Sequence, residues 1–419
     1  MPSLFSVLSG RNVLLLILVK FDTLSLCDKI PSENTGGNIM GYSLPDINKD
    51  EMIDLALKLI EKDTTNPPGN ECLVKDILVE YLGKLGAKVE IYEPAPGRCN
   101  VLGYIGEKEP VIAIISHMDV VPPGKGWDID PFSPQVKDGK IYGRGAVDNK
   151  GPFAASWAGI KALLTNNVPF KGTIVLGAVA DEERGSFYGM QYLLEKGFHC
   201  DFCIIPDGGK LDQIIVGEKG RLELSFIAKG KSAHASCPQE GENAIYKMVN
   251  CLNLLKDFKI KGNYHPLFDP PTINLGQIKG GEAPNIVADR CEATFDIRYP
   301  LGMEEEEIIS QFRKSLSEFG QDIRIEKKGF SSKPHLLDIE HPLVKVFKEV
   351  AGELGIPLKV GTMGGITLAK NLYFRKIPAV VHSPSIEPVA HKANEYVEID
   401  NLVTCAKLWA TVVTKLLKP

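Results

Sequence analysis

Apolar residues recur at helical spacing where the folded part of the chain begins. Five of them fall within residues 49–62: Met52, Leu55, Ala56, Leu59 and Ile60. This spacing predicts an amphipathic helix. The segment TTNPPGN at 64–70 ends it, because prolines and glycine interrupt a helix. A second helix with the same period is predicted up to Gly86.

Short, nearly continuous apolar runs follow this helical start. They are residues 111–116 (VIAIIS), 173–180 (TIVLGAVA) and 202–206 (FCIIP). Such runs are typical of strands that are buried on both faces of a sheet. Helices are predicted between them, near 152–167 and 187–196. The alternation predicts an α/β fold in which helices cover a sheet.

The middle of the chain has a different pattern. Residues 222–229, 272–279 and 291–299 are predicted strands, separated by helices near 241–256 and 304–319. Helix and strand signals at 343–355, 378–382 and 400–417 then return to the earlier pattern. We therefore predict a catalytic α/β domain formed by residues 47–219 and 333–419, interrupted by an inserted α+β domain at 220–332.

The first 46 residues differ from the rest. Their apolar run at 13–19 (VLLLILV) is much shorter than the ~20 apolar residues that a membrane-spanning helix needs. We expect no stable membrane span. Residues 1–46 are interpreted as a disordered leader, with Met40 as a plausible initiator, or as a targeting segment.

Composition narrows the class of protein. The 419 residues are 44% hydrophobic and 24% charged, which is typical of a soluble globular protein. The net charge of −5 offers no basic excess for nucleic-acid binding. Nine cysteines are scattered without a framework pattern, which predicts reduced thiols and a cytoplasmic enzyme.

Acidic residues and histidines follow the predicted strands directly. His117 and Asp119 follow the first run, Glu182 and Glu183 the second, and Asp207 the third. Ligands of open α/β sheets bind beyond the carboxyl ends of the strands. Each motif alone has an ordinary explanation, such as a surface pair, an acidic turn or an Asp-Gly turn.

Read together and in order, the motifs indicate a family. The stretches are SHMDVVPPGKGWDIDPF, YGRGAVDNKG, ADEE, PDGG, GKSAHAS, APNIVAD, FDIRYP and AHKANEYVEIDNL. Over roughly residues 47–417 the chain resembles the dinuclear zinc amidohydrolase and peptidase family. That family includes succinyl-diaminopimelate desuccinylase, acetylornithine deacetylase, aminoacylase, glutamate carboxypeptidase and carnosine-type dipeptidases.

The resemblance implies a role for each matching residue. One metal would be held by His117, Asp148 and Asp207, and the other by Asp148, Glu183 and His391, so that Asp148 bridges the two. Glu182 matches the general base, and Asp119 matches the acid that orients His117. In the inserted domain, His234 matches a histidine that reaches the scissile carbonyl, and Asn285 and Arg298 match substrate-binding residues. A cis peptide bond between Asp148 and Asn149 is also implied.

The expected chemistry is hydrolysis of an amide bond by a hydroxide shared between two divalent metal ions. Ligands that are all nitrogen or oxygen suit zinc first, with cobalt or manganese as alternatives. The substrate would be a small N-acyl amino acid or a dipeptide, and the segment GTMGGITL at 361–368 departs from the desuccinylase pattern enough to leave both open.

Two alternatives to this chemistry remain. The first is a catalytically silent relative that only binds amino acids or a partner, and the second is a metal-independent serine or cysteine hydrolase, for which no Gly-x-Ser-x-Gly motif is present. A homodimer is considered because His234 lies far in sequence from every predicted metal ligand, so it could act in its own chain or in a partner.

Overall fold

The computed structural model describes residues 46–320 and 322–418. The predicted leader, residues 1–46, lies outside this part except for Asp46. Nine α-helices form in the described ranges: α1 Lys49–Ile60, α2 Lys75–Gly83, α3 Lys150–Thr165, α4 Met190–Glu195, α5 Ala244–Leu255, α6 Glu305–Ser315, α7 Pro342–Glu353, α8 Leu368–Tyr373 and α9 Ile399–Leu416. The strands there are β1 Lys88–Tyr92, β2 Asn100–Ile105, β3 Val111–His117, β4 Gln135–Lys137, β5 Lys140–Tyr142, β6 Thr173–Val179, β7 Phe202–Ile205, β8 Gln213–Glu218, β9 Gly220–Lys229, β10 Thr272–Gly280, β11 Arg290–Tyr299, β12 Ile323–Ser332, β13 His335–Leu336, β14 Lys359–Met363, β15 Ala379–Val381 and β16 Tyr396–Glu398.

The large sheet has the order β1-β2-β6-β3-β7-β15-β8-β13, and β14 pairs with β8 beside this path. β6 and β7 both run parallel to β3, and β15 runs parallel to β7. The carboxyl ends of these four strands therefore meet at one edge of the sheet. The three apolar runs named from the sequence are β3, β6 and β7, so the α/β prediction is confirmed.

Helices cover both faces of this sheet. The indole of Trp157 on α3 is buried and donates to the carbonyl oxygen of Tyr81, which ties α3 to α2. Gly159 lets α3 approach α9 closely, because a Cβ there would lie 2.5 Å from the carbonyl oxygen of Ala406. On the opposite face, α4 and α8 bury Met190 and Leu372 in a second apolar cluster. The strands thus bury their apolar side chains against helices on both faces of the sheet, as the apolar runs predicted.

A four-stranded antiparallel sheet with the order β10-β11-β9-β12 is formed by residues 220–332. α5 and α6 pack on it around an apolar core that includes Phe226, Phe295 and Phe312. Three of its strands were predicted, whereas β12, whose outer half is exposed and polar, was not. The description of residues 220–332 as an inserted lid domain, and of 47–219 with 333–419 as a catalytic domain, stays a prediction.

One expectation about cysteine is wrong. Cys72 and Cys99 form a disulfide. Cys72 lies in the short 3-10 turn Glu71–Val74, and Cys99 immediately precedes β2. Cys72 and Cys99 are 27 positions apart in sequence, and the residues between them carry no local signal for pairing, so only the packing of the turn against β2 reveals it. No helix in the described ranges has the length and apolar character to span a membrane.

Candidate metal centre

The predicted metal ligands come together at the carboxyl edge of the large sheet. β3 ends at His117, the chain after β6 forms the 3-10 turn Glu182–Arg184, and Asp207 follows β7. Asp148 precedes α3, and the loop beyond β15 brings in His391. All of these residues except the buried His117 line a cavity of about 780 Å³ that opens to solvent.

The two carboxylate oxygens of Asp148 face different histidines. Oδ1 lies 2.8 Å from Nε2 of His117, and Oδ2 lies 3.0 Å from Nε2 of His391. Oε1 of Glu183 is 3.1 Å from the same His391 nitrogen, and Oδ2 of Asp207 is 3.9 Å from His117 Nε2. One oxygen towards each histidine is compatible with a carboxylate that bridges two metal ions.

The turn that carries Asp148 is held from behind by Glu395. The Glu395 carboxylate is buried and accepts backbone N–H bonds from Gly145 at 3.1 Å, Val147 at 3.0 Å and Asp148 at 3.2 Å. Arg144 forms an ion pair with the same carboxylate. The peptide bond after Asp148 is cis, as the resemblance implied. Sequence reasoning missed Glu395, although it lies within the same AHKANEYVEIDNL motif as His391.

Asp119 holds the acidic turn more directly than it holds His117. Its carboxylate accepts the backbone N–H of Glu182 at 2.9 Å and that of Glu183 at 3.1 Å. Nδ1 of His117 lies 2.9 Å from the carbonyl oxygen of Asp119 and 3.6 Å from its Oδ1. By distance, the nearest acceptor for this ring nitrogen is therefore the carbonyl oxygen and not the carboxylate.

The pKa directions show a site that is crowded with negative charge. Burial raises the pKa of Glu182 well above its usual value, and burial with the charge of Asp148 raises that of Asp207 to about 7. Burial also favours a higher pKa for Asp148. Hydrogen bonds from His117 and His391 outweigh this effect, so the pKa of Asp148 is lowered. Hydrogen bonds to Asp148 and Glu183 raise the pKa of His391 to about 10. Burial and mutual repulsion thus favour proton binding by several of these groups, and metal ions binding there would compete with those protons.

The donor atoms themselves fit divalent metals. One set comprises His117, Asp148 and Glu183, and another comprises His117, Glu182 and Asp207, with all atoms of a set within 4.8 Å of one another. The atoms are imidazole nitrogens and carboxylate oxygens, which suit zinc, cobalt or manganese. Glu182 belongs to the second set, so proximity alone leaves it as either a ligand or a base.

The residues predicted in the inserted segment separate into two groups. Arg298 lines the cavity, where its Nε donates to Asp296 Oδ1 at 2.7 Å and its Nη1 donates to the carbonyl oxygen of Gly364 at 3.1 Å. Arg221 also lines the cavity and was missed, although it lies directly opposite Arg298 in the β9–β11 register.

His234 and Asn285 do not reach the cavity. Both side chains are exposed, and in the described ranges neither residue lines the space beside the metal ligands. They are close to each other, since the N–H of Ala235 donates to the carbonyl oxygen of Asn285. Within one chain the structure thus brings Arg298 to the predicted metal centre but not His234 or Asn285.

Known proteins share this architecture. Residues 113–415 match the peptidase family M20/M25/M40. A succinyl-diaminopimelate desuccinylase of Orientia tsutsugamushi (strain Boryong) is 30% identical over 379 residues, which cover 87% of this chain and 95% of that protein. The aminopeptidase PepT of Bacillus cereus superposes with a TM-score of 0.72 at 22% identity, covering 89% of this chain and 100% of that one. A Bacillus subtilis dinuclear metal binding peptidase superposes at 0.63 with 16% identity, covering 88% and 98%.

The two solved structures show a shared fold, and the family match extends over most of the chain. The resemblance inferred from the motifs is thereby confirmed. The chain belongs to the peptidase family M20/M25/M40, and it is a metal-dependent hydrolase of amide and peptide bonds.

Proposed function

We propose that the enzyme hydrolyses the amide bond of a small N-acyl amino acid or a dipeptide, using two divalent metal ions. His117, Asp148 and Asp207 would hold one ion, and Asp148, Glu183 and His391 the other. The observation that carries the proposal is that the two oxygens of Asp148 face His117 and His391 separately. Zinc is the first candidate, with cobalt and manganese as alternatives.

The metals would supply an activated water and stabilise the charge that develops on the substrate carbonyl oxygen. Glu182 is the residue best suited to carry the proton. Its side chain is half-buried near Asp207, and loss of solvent around the carboxylate raises its pKa. A carboxylate that binds a proton readily can take it from the attacking water and return it to the leaving amine. The backbone N–H bond to Asp119 would hold Glu182 in place for both transfers.

Arg298 is proposed to bind the substrate carboxylate, because it lies in the wall of the same cavity. Its pairing with Asp296 fixes the guanidinium plane, and the outer edge of that plane could take a carboxylate in two-point fashion. Asn285 and His234 would act on the substrate from a second chain, since both are exposed and lie outside their own cavity.

A homodimer would supply that second chain. β10 is an edge strand of the four-stranded sheet, and it exposes Leu275 and Ile278. α5, on the same unit, exposes Tyr246 by 71% and also Val249. An exposed edge strand with apolar side chains is suited to pairing with another chain.

We expect Tyr246→Glu to lower the sedimentation coefficient from the value of a dimer to that of a monomer. The control is Phe374→Glu, which changes an exposed aromatic residue outside the surface formed by β10 and α5. A wild-type monomer would contradict the dimer.

A cytoplasmic location is the remaining proposal from the sequence. The disulfide between Cys72 and Cys99 counts against it, because disulfides persist mainly in oxidising compartments. Free-thiol counting on the protein isolated from its native cells tests the location. Finding Cys72 and Cys99 paired there would contradict a cytoplasmic enzyme.

A substrate screen tests the proposed reaction. Metal-loaded enzyme would be compared on N-acetyl amino acids, N-succinyl amino acids and dipeptides, before and after removal of metal by a chelator. We expect turnover of at least one class, its loss with the chelator and its return with zinc. Asp148→Asn should lose both metal and turnover, whereas Asp76→Asn, a carboxylate with a 93% exposed side chain, should lose neither. Full activity of metal-free protein would contradict the proposal.

A further inference from the structure

The loop TTNPPGNE at residues 64–71 lies directly behind the metal centre. The Oγ1 of Thr64 donates to the carbonyl oxygen of Met118 at 2.5 Å, and the N–H of Asn66 donates to that of Val120 at 2.9 Å. These bonds tie the loop to the end of β3, on both sides of Asp119. The sequence marked this loop only as a helix break, and the chemistry described above makes no use of it.

The side chain of Asn66 joins two buried carboxylates. Its Nδ2 donates to Oδ2 of Asp119 at 2.9 Å and to Oδ1 of Asp181 at 3.1 Å. Asn66 is 4% exposed, Asp119 0% and Asp181 3%. A single amide thus separates two negative groups that would repel each other at this distance in a medium of low polarity.

Arg98 supplies the positive charge of this cluster. Its Nε and Nη2 donate to the two oxygens of Glu71, both at 2.7 Å, and Nη2 also donates to Oδ1 of Asp181 at 3.0 Å. A bidentate arginine–carboxylate pair is among the strongest and most directional contacts in proteins. The disulfide joins Cys72 and Cys99, the residues that follow Glu71 and Arg98, so it fastens the two segments beside the ion pair.

Asp181 and Asp119 together determine where the acidic turn lies. Asp181 immediately precedes Glu182 and has a φ of +67°, a left-handed conformation that a non-glycine residue adopts when its surroundings enforce it. Asp119 accepts the N–H groups of Glu182 and Glu183. Any movement of these two aspartates would therefore move the proposed base and one proposed metal ligand.

We propose that Asn66 and Arg98 are positioning residues for the hydrolytic centre: through Asp119 and Asp181 they hold the turn that bears Glu182 and Glu183. This inference rests on the proposed function for its consequence on turnover, but not for its consequence on metal binding. Residues that support metal ligands commonly change metal affinity or activity 10–100-fold when they are substituted.

The first test is Asn66→Leu, which removes the amide donor while keeping the side-chain size. The matched control is Asn70→Leu, an exposed asparagine in the same loop. Zinc affinity of the metal-free proteins would be measured by competition with a chromophoric chelator. We expect Asn66→Leu to bind zinc about 10–100-fold more weakly at the proposed site formed by Asp148, Glu183 and His391. The control should bind zinc as the wild type does.

Turnover then separates positioning from a general structural effect. On a substrate that the wild type hydrolyses, kcat of Asn66→Leu should fall about 10–100-fold with KM changed by less than about threefold, because the substrate-binding wall of the cavity is untouched. The absorption spectrum of the cobalt-loaded variant should also differ from that of the wild type, since the ligand field reports the placement of Glu183. A merely structural role would lower the thermal unfolding temperature and leave these three readouts unchanged.

Arg98→Lys is the second variant, for the case in which Asn66→Leu does not fold. It keeps the positive charge but loses the two-point geometry. The same loss of zinc affinity and of kcat is expected. A folded Arg98→Lys or Asn66→Leu protein with wild-type zinc affinity, cobalt spectrum and kcat would overturn the inference. A wild type that binds two metals but hydrolyses none of the substrates would instead refute the proposed function alone, and the affinity and spectrum would still decide the roles of Asn66 and Arg98.

Discussion

Substituting Gly151 with alanine tests how tightly the turn that bears Asp148 is packed. Gly151 lies in the first turn of α3, and its N–H points to the carbonyl oxygen of Gly145 across that turn. A Cβ added at Gly151 would lie 2.1 Å from the carbonyl oxygen of Ala146 and 3.2 Å from its carbonyl carbon. Both are backbone atoms, which cannot rotate away as a side chain would. The turn itself must therefore move.

The magnitude of the effect comes from that overlap. An ordinary contact between these atoms begins at 3.4 Å, so relieving the 2.1 Å approach requires the backbone around Ala146 to shift by more than 1 Å. Overpacking of this kind costs about 1–3 kcal/mol of unfolding free energy. Asp148 lies two residues beyond Ala146, and a misplacement of about 1 Å in a catalytic group can lower turnover about 100-fold. We expect Gly151→Ala to lose both stability and metal-dependent activity.

Urea unfolding of the metal-free protein measures the first effect, and zinc titration with steady-state kinetics measures the second. Gly352→Ala is the matched control, because Gly352 lies in α7 with nothing within 4 Å of an added Cβ. Alanine there should raise the unfolding free energy by at most about 0.5–1 kcal/mol, the gain expected for replacing glycine within a helix, because Gly352 lies in the last turn of α7. If Gly151→Ala also gained stability and kept wild-type zinc affinity, the packing argument for the Asp148 turn would be refuted.

Four further outcomes are expected. Glu182→Gln should retain its metal but lose about 10²–10⁴ in turnover, and loss of metal as the main effect would make this residue a ligand. Arg298→Ala should weaken carboxylate-bearing substrates far more than their amide-capped analogues, whereas equal losses would indicate a folding defect. His234→Ala should leave metal content unchanged and lower turnover about 10²–10³-fold, and wild-type turnover would contradict its role. Burial lowers the pKa of His382 to about 4, so the unfolded chain binds more protons between pH ~6.5 and 4; unfolding free energy should fall as pH falls through this window, and less so in His382→Gln.

Much of the fold was readable from local patterns. The apolar runs at 111–116, 173–180 and 202–206 became β3, β6 and β7, because a strand that is buried on both faces has few polar positions. β12 escaped prediction for the converse reason. One half of it is exposed, and residues such as Lys327 and Lys328 carry no strand signal of their own.

The candidate site was also predictable in part, because the residues that come directly after parallel strands lie at one edge of the sheet. His117, Glu182 and Asp207 are found together for that reason. Their roles at the metal centre remain proposals. His234 and Asn285 matched the motifs equally well but are exposed outside the cavity, because a motif match does not determine how closely two distant segments approach in the folded chain.

By itself, the sequence determined the α/β class, the family and the identity of the residues that line up at the strand ends, because these depend on short-range periodicity and on motif order. Only the tertiary structure decided which groups hold them in place. Arg98 meets Asp181 across 83 residues, and Glu395 meets Asp148 across 247. The disulfide between Cys72 and Cys99 arises in the same way. Contacts over such separations depend on how whole elements pack, and no local spacing of residues encodes that packing.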